Sequence, residues 1–216
     1  MLTIYGVYRS RASRNIWLLD ELGVPFRHMP VIQHYRQASG PTLLHTRSPA
    51  FLKINPNGHV PTMDDNGLVL HESLAINLYL ARKHGGPLAA ANLAEDGQIG
   101  MWTLWAANEI EPRSIQVLYH RVSNPEGPKN EAVAQAAIAA LRGPFAVLDR
   151  HLMMHGGYAV GGRFTVADIN LAECVRYASV AGELFDAAPA VKAWLGACQA
   201  RPAFRAMWAK RDAEPA

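Results

Sequence analysis

Cysteine is scarce in this 216-residue chain. Its two cysteines, Cys174 and Cys198, sit in separate apolar, helix-like runs and form no Cys-x-x-Cys. That excludes a disulfide framework and reads as two buried thiols acting as small hydrophobes. The nine histidines fall into no His-Glu-x-x-His pattern, so no metal site is expected. Long apolar runs are missing too. The longest, AVAQAAIAAL, falls far short of the roughly 20 residues of a membrane span. The opening MLTIYGVYRSRAS turns polar and Arg-rich too early for a secretory signal, so the expectation is a cytoplasmic protein with no membrane partner. Nor is there a strong charge of one sign. The net charge is +3, which gives no basic stripe for nucleic acid. The one local cluster, Arg9, Arg11 and Arg14, fits either a solvated group or attraction of a small anion.

What is present is clear periodicity. LTIYGVY alternates and is rich in β-formers, so it reads as a strand. NIWLLDELG carries Ile16, Leu19 and Leu22 at helical spacing, stopped by Gly23 and Pro25. FRHMPVI is a second strand, and this order implies a right-handed crossover to a parallel neighbour. Residues 32–47 read as irregular. Ser48-Pro49 opens a short helix that ends by Asn55-Pro56. HVPTM and LVLHE form a hairpin about DDNG, and SLAINLYLARKH is a helix stopped by Gly85-Gly86-Pro87. The order is βαβ, short helix, ββ, α: a thioredoxin-like domain over 1–84, of mixed sheet with helices on both faces. PLAAANLAEDGQ gives a linker over 85–94. Beyond it only helices are expected, at about 96–123, 131–154, 166–181, 189–200 and 203–211, making an all-α domain over 95–216.

Two junctions in LKINPNGHVPTMDDNGLVLHESLAINLYL can bind a ligand. Pro61 follows Val60 at the start of a strand. It is either a trans proline opening an edge strand or a cis proline that leaves the Val60 N–H and C=O free for an extended ligand. Glu72-Ser73 stands at a helix N-terminus. It is either a plain cap or a pair in which helix N–H groups take a carboxylate while Glu72 takes an ammonium. The second option suits the headgroup of an α-amino acid.

The segment NPNGHVPTMDDNGLVLHESLAINLYLARK resembles the glutathione-binding stretch of cytosolic glutathione transferases, N-P-x-G-[KQH]-V-P, a hairpin, then L-x-E-S-x-A-I-x-x-Y-L. YRSRASRNIWLLDELGVPF resembles the S-x-x-x-R…L-x-E-L-G-[VL]-P-[FY] start of bacterial members. GRFTVADINLAECVRYA is similar to the family's C-terminal motif, in which Thr165 and Asp168 form a capping box. Together they span nearly the whole chain. The resemblance implies that Val60 pairs with the cysteinyl part of glutathione, that Pro61 is cis, and that Glu72 and Ser73 bind the γ-glutamyl headgroup. His59 stands where the family contacts the tripeptide, and Arg47 lies in a loop that reaches toward its glycyl end.

Glutathione must become a thiolate to attack, and a free thiol near pKa ~8.5 is mostly protonated at neutral pH. One hydroxyl donating to the sulfur contributes about 1.5–3 kcal/mol, or roughly one to two pKa units. Ser10 aligns with the serine of Ser-type members. Tyr8 is the alternative hydroxyl, and Arg11 the alternative charge. Ser13 takes the place of the cysteine of redox-type relatives and reads as an N-cap. That loss argues against mixed-disulfide chemistry. The resemblance also implies a hydrophobic electrophile near Trp105 and Tyr119, with Tyr8 beside it, and a homodimer. The activity it implies is conjugation. The alternatives are a glutathione-dependent peroxidase, isomerase or dehalogenase, and a binding protein that kept the fold without turnover.

Overall fold

A computed structural model of the chain describes residues 1–36, 44–125 and 127–214. Strand β1 (Leu2–Tyr5) is buried along Leu2, Thr3 and Ile4. Helix α1 (Ala12–Leu22) closes on Gly23 at φ +63°, which returns its N–H to the last turn. β2 (Arg27–Met29) follows, and the register of Ile4 opposite His28 bears out the parallel pairing. His34–Arg36 forms a 3-10 turn, and Ile32 bridges His45, so part of the stretch expected to be irregular is ordered. Residues 37–43 of that stretch lie outside the described residues. α2 (Pro49–Leu52) begins at the expected Ser48-Pro49.

β3 (Thr62–Asp65) and β4 (Leu68–His71) pair antiparallel about Asn66-Gly67, at φ 54° and 97°. Positive φ at both central residues gives a tight hairpin turn whose twist matches the strands. The sheet order is β2-β1-β3-β4. α3 (Ser73–His84) is tied to this hairpin. Asp65 accepts hydrogen bonds from Tyr79 at 2.8 Å and from Lys83, and the Lys83 bond chiefly holds the Asp65 carboxyl below its usual range.

α4 (Leu93–Trp105) starts within the segment expected as a linker. The reason is a reciprocal cap. Asn92 accepts from the Glu95 N–H at 3.0 Å, and Glu95 reaches back to the Ala91 N–H at 2.8 Å. Ala106–Ile110 is a π turn leading into α5 (Glu111–Arg121). Pro112 explains it, because a proline has no N–H to donate and clashes with the carbonyl four residues back. The freed carbonyls of Asn108 and Glu109 accept from Arg113 Nη1 at 3.3 and 2.7 Å.

Helix α6 (Glu131–Met154) is long and apolar enough to cross a membrane by length and composition. Its buried positions, among them Ala134, Ile138, Leu141, Phe145, Leu148 and Leu152, recur at helical spacing and mark the core face of an amphipathic helix. α7 (Val166–Val175), a 3-10 turn at Arg176–Ala178, α8 (Gly182–Asp186), α9 (Pro189–Gln199) and α10 (Pro202–Ala213) complete the chain. Both cysteines are buried, and the Cys174 thiol donates to Glu111 at 3.3 Å.

The chain divides into two compact units. One is Met1–His84 together with the segment from Arg201 onward, and the other is Gly85–Ala200. This corrects the expected boundaries at two places. Residues 85–92 belong with the helices, because the Val166 N–H bonds the Leu88 carbonyl and Arg163 bonds those of Pro87 and Ala89. α10 belongs with the sheet. Phe204 meets the fully buried Trp17 edge-on at 4.9 Å, and Arg201 makes a two-pronged pair with Glu21 at 2.7 Å on each prong. Burying two such aromatic faces stabilises by about 1.5–3 kcal/mol per side chain.

Candidate functional site

Three junctions of the sheet-bearing unit carry the residues singled out above. The first is the turn from β1 to α1. Gly6 has φ +141°, and a Cβ there would stand 2.7 Å from Ala12 Cβ, 3.3 Å from Ser10 Oγ and 3.4 Å from Val60 Cβ. Only glycine fits, and Ser10 and Val60 flank the same point. Ser10 is buried. Its hydroxyl donates to the Val7 carbonyl at 2.7 Å and accepts from the Ala12 N–H at 3.1 Å. The hydroxyl therefore caps α1 while holding a proton that a stronger acceptor can draw away. Ser13 lies inside α1 and its hydroxyl donates to the Ser10 carbonyl at 3.0 Å, so it is not the expected N-cap, a position that Arg11 holds.

The second junction precedes β3. The Val60–Pro61 peptide is cis. Ladder pairing begins at Thr62, and among the described residues no backbone hydrogen bond takes up the Val60 N–H or C=O. His59 has its carbonyl anchored by Asn55 Nδ2 at 3.0 Å, while the residue is exposed. Arg47 lies over Gly58, its Nη1 3.2 Å from where a Cβ would be.

The third junction is the entry to α3. Glu72 has φ +71° and is exposed, and its carbonyl accepts from the Ile76 N–H at 2.9 Å. A non-glycine residue in this region costs about 1–2 kcal/mol. Such strain is retained where surroundings over-determine it, commonly at binding sites. Ser73 is buried. Its hydroxyl accepts from Arg14 Nη1 at 3.1 Å and its carbonyl from Asn15 Nδ2 at 2.8 Å. Asn15 also donates to Asn77 at 2.7 Å, and Asn77 returns a bond to the Arg14 carbonyl at 3.4 Å.

One helix therefore links two of the junctions. Ser10 precedes α1, and Arg14 and Asn15 are on it. Sequence reasoning placed Arg14 in the S-x-x-x-R pattern and in an arginine cluster that fits either a solvated group or attraction of a small anion, and it is 1% exposed. The S-x-x-x-R pattern was the available signal, since it joins Ser10, just before α1, to Arg14 in the helix's first turn. Nothing local pointed to Asn15 or Asn77.

Tyr8 is half-buried, with its ring edge-on to His28 at 4.9 Å and Lys210 Nζ 5.8 Å from its centre. In the helical unit, Trp105 ends α4 half-buried against the buried Trp102 at 5.1 Å, and Tyr119 lies half-buried on α5. The expected capping box is present. Asp168 accepts from the Thr165 N–H at 2.8 Å and its hydroxyl at 3.1 Å, and also from Ala159 N and Trp194 Nε1, each at 2.9 Å. Burial pushes the Asp168 carboxyl upward against those four bonds. Among the described residues no group of His, Cys, Asp and Glu could hold a metal ion.

Two family models match the chain: the glutathione S-transferase N-terminal domain over residues 4–88 and the glutathione S-transferase C-terminal domain over 131–197. Glutathione S-transferase 3 of Zea mays is 31% identical over 213 residues, covering 94% of this chain and 91% of its own. Glutathione S-transferase GstB of Escherichia coli K12 is 27% identical, with 95% and 96% covered. Among solved structures, the theta class glutathione S-transferase of Xanthomonas axonopodis pv. citri, with glutathione bound, superposes with a TM-score of 0.77 at 28% identity, covering 94% and 95% of the two chains.

Proposed function

The chain belongs to the glutathione S-transferase family, and from that premise we propose that it activates the thiol of glutathione for attack on small hydrophobic electrophiles, with Ser10 as the catalytic hydroxyl. The observation that carries this reading is the arrangement around α1. Ser10, capping its start, flanks the same point as Val60, while Arg14, one turn on, holds the Ser73 hydroxyl.

In this reading the unpaired Val60 backbone takes the cysteinyl part of glutathione as an added strand would. Glu72, turned outward by its positive φ, takes the ammonium of the γ-glutamyl group. Ser73 and the α3 N-terminus take its carboxylate, and Arg14 adds positive charge behind Ser73. His59 and Arg47 face the glycyl end. The sulfur then lies near Ser10. A thiolate is a far better acceptor than the Val7 carbonyl, so the Ser10 proton turns to it. That bond contributes about 1.5–3 kcal/mol, lowering the thiol pKa by roughly one to two units. Bringing the two reactants together removes much of the remaining entropic barrier. We assign the electrophile to the helical unit, with Trp105 and Tyr119 as its contacts. Exposed Met101 and Leu104 on α4 suit a homodimer, and the location proposed is the cytoplasm.

The test is Ser10→Ala. Glutathione affinity should stay within a few-fold, while turnover near neutral pH falls about 10- to 100-fold and the bound thiol's ultraviolet thiolate band titrates one to two units higher. Unchanged turnover removes Ser10 from its role. A wild-type protein that binds glutathione without shifting its thiol is a carrier instead.

A further inference from the structure

The turn that carries Ser10 is held by a segment some 200 residues away in sequence. Glu214, just past α10, places one carboxylate oxygen on the Tyr8 N–H and the other on the Arg9 N–H, each at 2.8 Å. Arg211 Nη1 donates to the Tyr8 carbonyl at 2.7 Å, and Arg36 Nη1 donates to the Arg9 carbonyl at 2.9 Å. The Arg9 side chain turns back, donating from Nε to the Glu214 carbonyl at 2.9 Å and from Nη2 to the Asp212 carbonyl at 3.4 Å. Both peptide units immediately before Ser10 thus have their N–H and C=O groups engaged. Two of those bonds converge on one carboxylate.

We propose that Glu214 is a positioning residue for the Ser10 hydroxyl: by clamping the Tyr8 and Arg9 main chain it fixes where Ser10 points, and so sets how acidic the bound glutathione thiol becomes. The inference rests on Ser10 being the catalytic hydroxyl. Its physical basis is that both main-chain N–H groups of Tyr8 and Arg9 are held by this one carboxylate, while the arginines hold only their carbonyls. Gly6 at its start lacks a side chain and sits at positive φ, so it constrains the backbone least of all residues. Two parallel charge-assisted bonds give both strength and direction. The charged and titratable groups around the clamp are Arg9, Arg36, Lys210, Arg211, Asp212 and, against the Tyr8 ring, His28. Hydrogen-bond geometry at a reacting atom is steeply sensitive to displacements of about an ångström, so a loosened turn should cost acidity before it costs affinity.

The experiment uses the full chain with Glu214→Ala and Glu214→Gln. Glutamine keeps the size but sets an N–H against one of the two main-chain N–H groups, so both variants should behave alike. The thiol pKa of bound glutathione, followed by its thiolate absorbance, should rise by about one unit, and turnover at neutral pH should fall about tenfold. KM for glutathione should change less than about threefold, and the variant and wild-type rates should converge at pH above both thiol pKa values. A merely structural tail would lower turnover equally at every pH. A wild type with a lowered thiol pKa that Glu214→Ala and Glu214→Gln leave unaltered overturns this inference alone. A wild type whose bound thiol titrates like free glutathione overturns the assignment of Ser10, and this inference with it.

Discussion

Replacing Asp168 by alanine should unfold the helical unit at markedly lower temperature. Its carboxylate serves four donors from three places: Thr165 twice, Ala159, and Trp194 on α9. All are buried, with Thr165 at 0%, Ala159 at 2% and Trp194 at 3% exposure, so water cannot replace the lost acceptor. Three N–H groups are left without a partner, each costing about 1–3 kcal/mol, while the hydroxyl can turn elsewhere. Against this, the variant no longer buries a carboxylate, a gain of the kind that pushes the Asp168 pKa upward. The balance is a loss of about 3–5 kcal/mol, or roughly 10–15 °C in Tm for a chain of this length. Urea unfolding followed by helical circular dichroism measures it, with the m value checked for constancy. Asp168→Asn keeps one acceptor oxygen and turns an amide against the other two donors, so it should recover only part of the loss. A deficit below about 1 kcal/mol for the alanine variant, or an asparagine variant as stable as the parent, would show that the buried carboxylate is not what joins these segments.

Further outcomes are expected elsewhere. Gly6→Ala forces a Cβ to 2.7 Å from Ala12 Cβ at φ +141°, so it should destabilise by about 2–4 kcal/mol and, by pressing on Ser10, raise the bound thiol's pKa; thermal unfolding and thiolate titration report the two effects. Glu95 is held down to about 2, first by Arg163 and then by the Ala91 N–H, from an ordinary 4.5. A depressed folded-state pKa means that the pair's stabilising contribution is complete above the unfolded value and fades as pH falls from about 4.5 toward 2. The stability difference between wild type and Glu95→Gln should therefore be constant down to about pH 5 and close below it, as acid titration of both proteins will show.

The local features of this fold were legible because local rules decide them. Asn66-Gly67 announces a hairpin turn, Ser48-Pro49 a helix start, and the three-and-four spacing of apolar residues gives α6 and α9 within a residue or two and α1 except for its first turn. The exceptions have non-local causes. The π turn at Ala106–Ile110 arises from Pro112, which a periodicity reading runs straight through. α8 has only five residues and starts on Gly182, too short for any repeat to show. Site residues followed the same division. Val60, Pro61, Glu72 and Ser73 lie within one contiguous segment whose pattern names them together. Arg14 was seen but left between a solvated charge and an attractor of a small anion, because composition cannot reveal that a guanidinium is enclosed between two helices. Glu214 could not be found at all, since its partners lie at the opposite end of the chain.

That α10 completes the sheet-bearing unit has a consequence for synthesis. Domains generally fold as they leave the ribosome, the earliest first. Here residues 1–84 emerge first but must wait for Phe204 to cover Trp17 and for Arg201 to neutralise Glu21. The other compact unit, Gly85–Ala200, is one continuous stretch and is complete in sequence by then. The half that is translated earliest is thus the last to be finished, and a nascent chain stalled before residue 201 carries a mature helical half beside an open one.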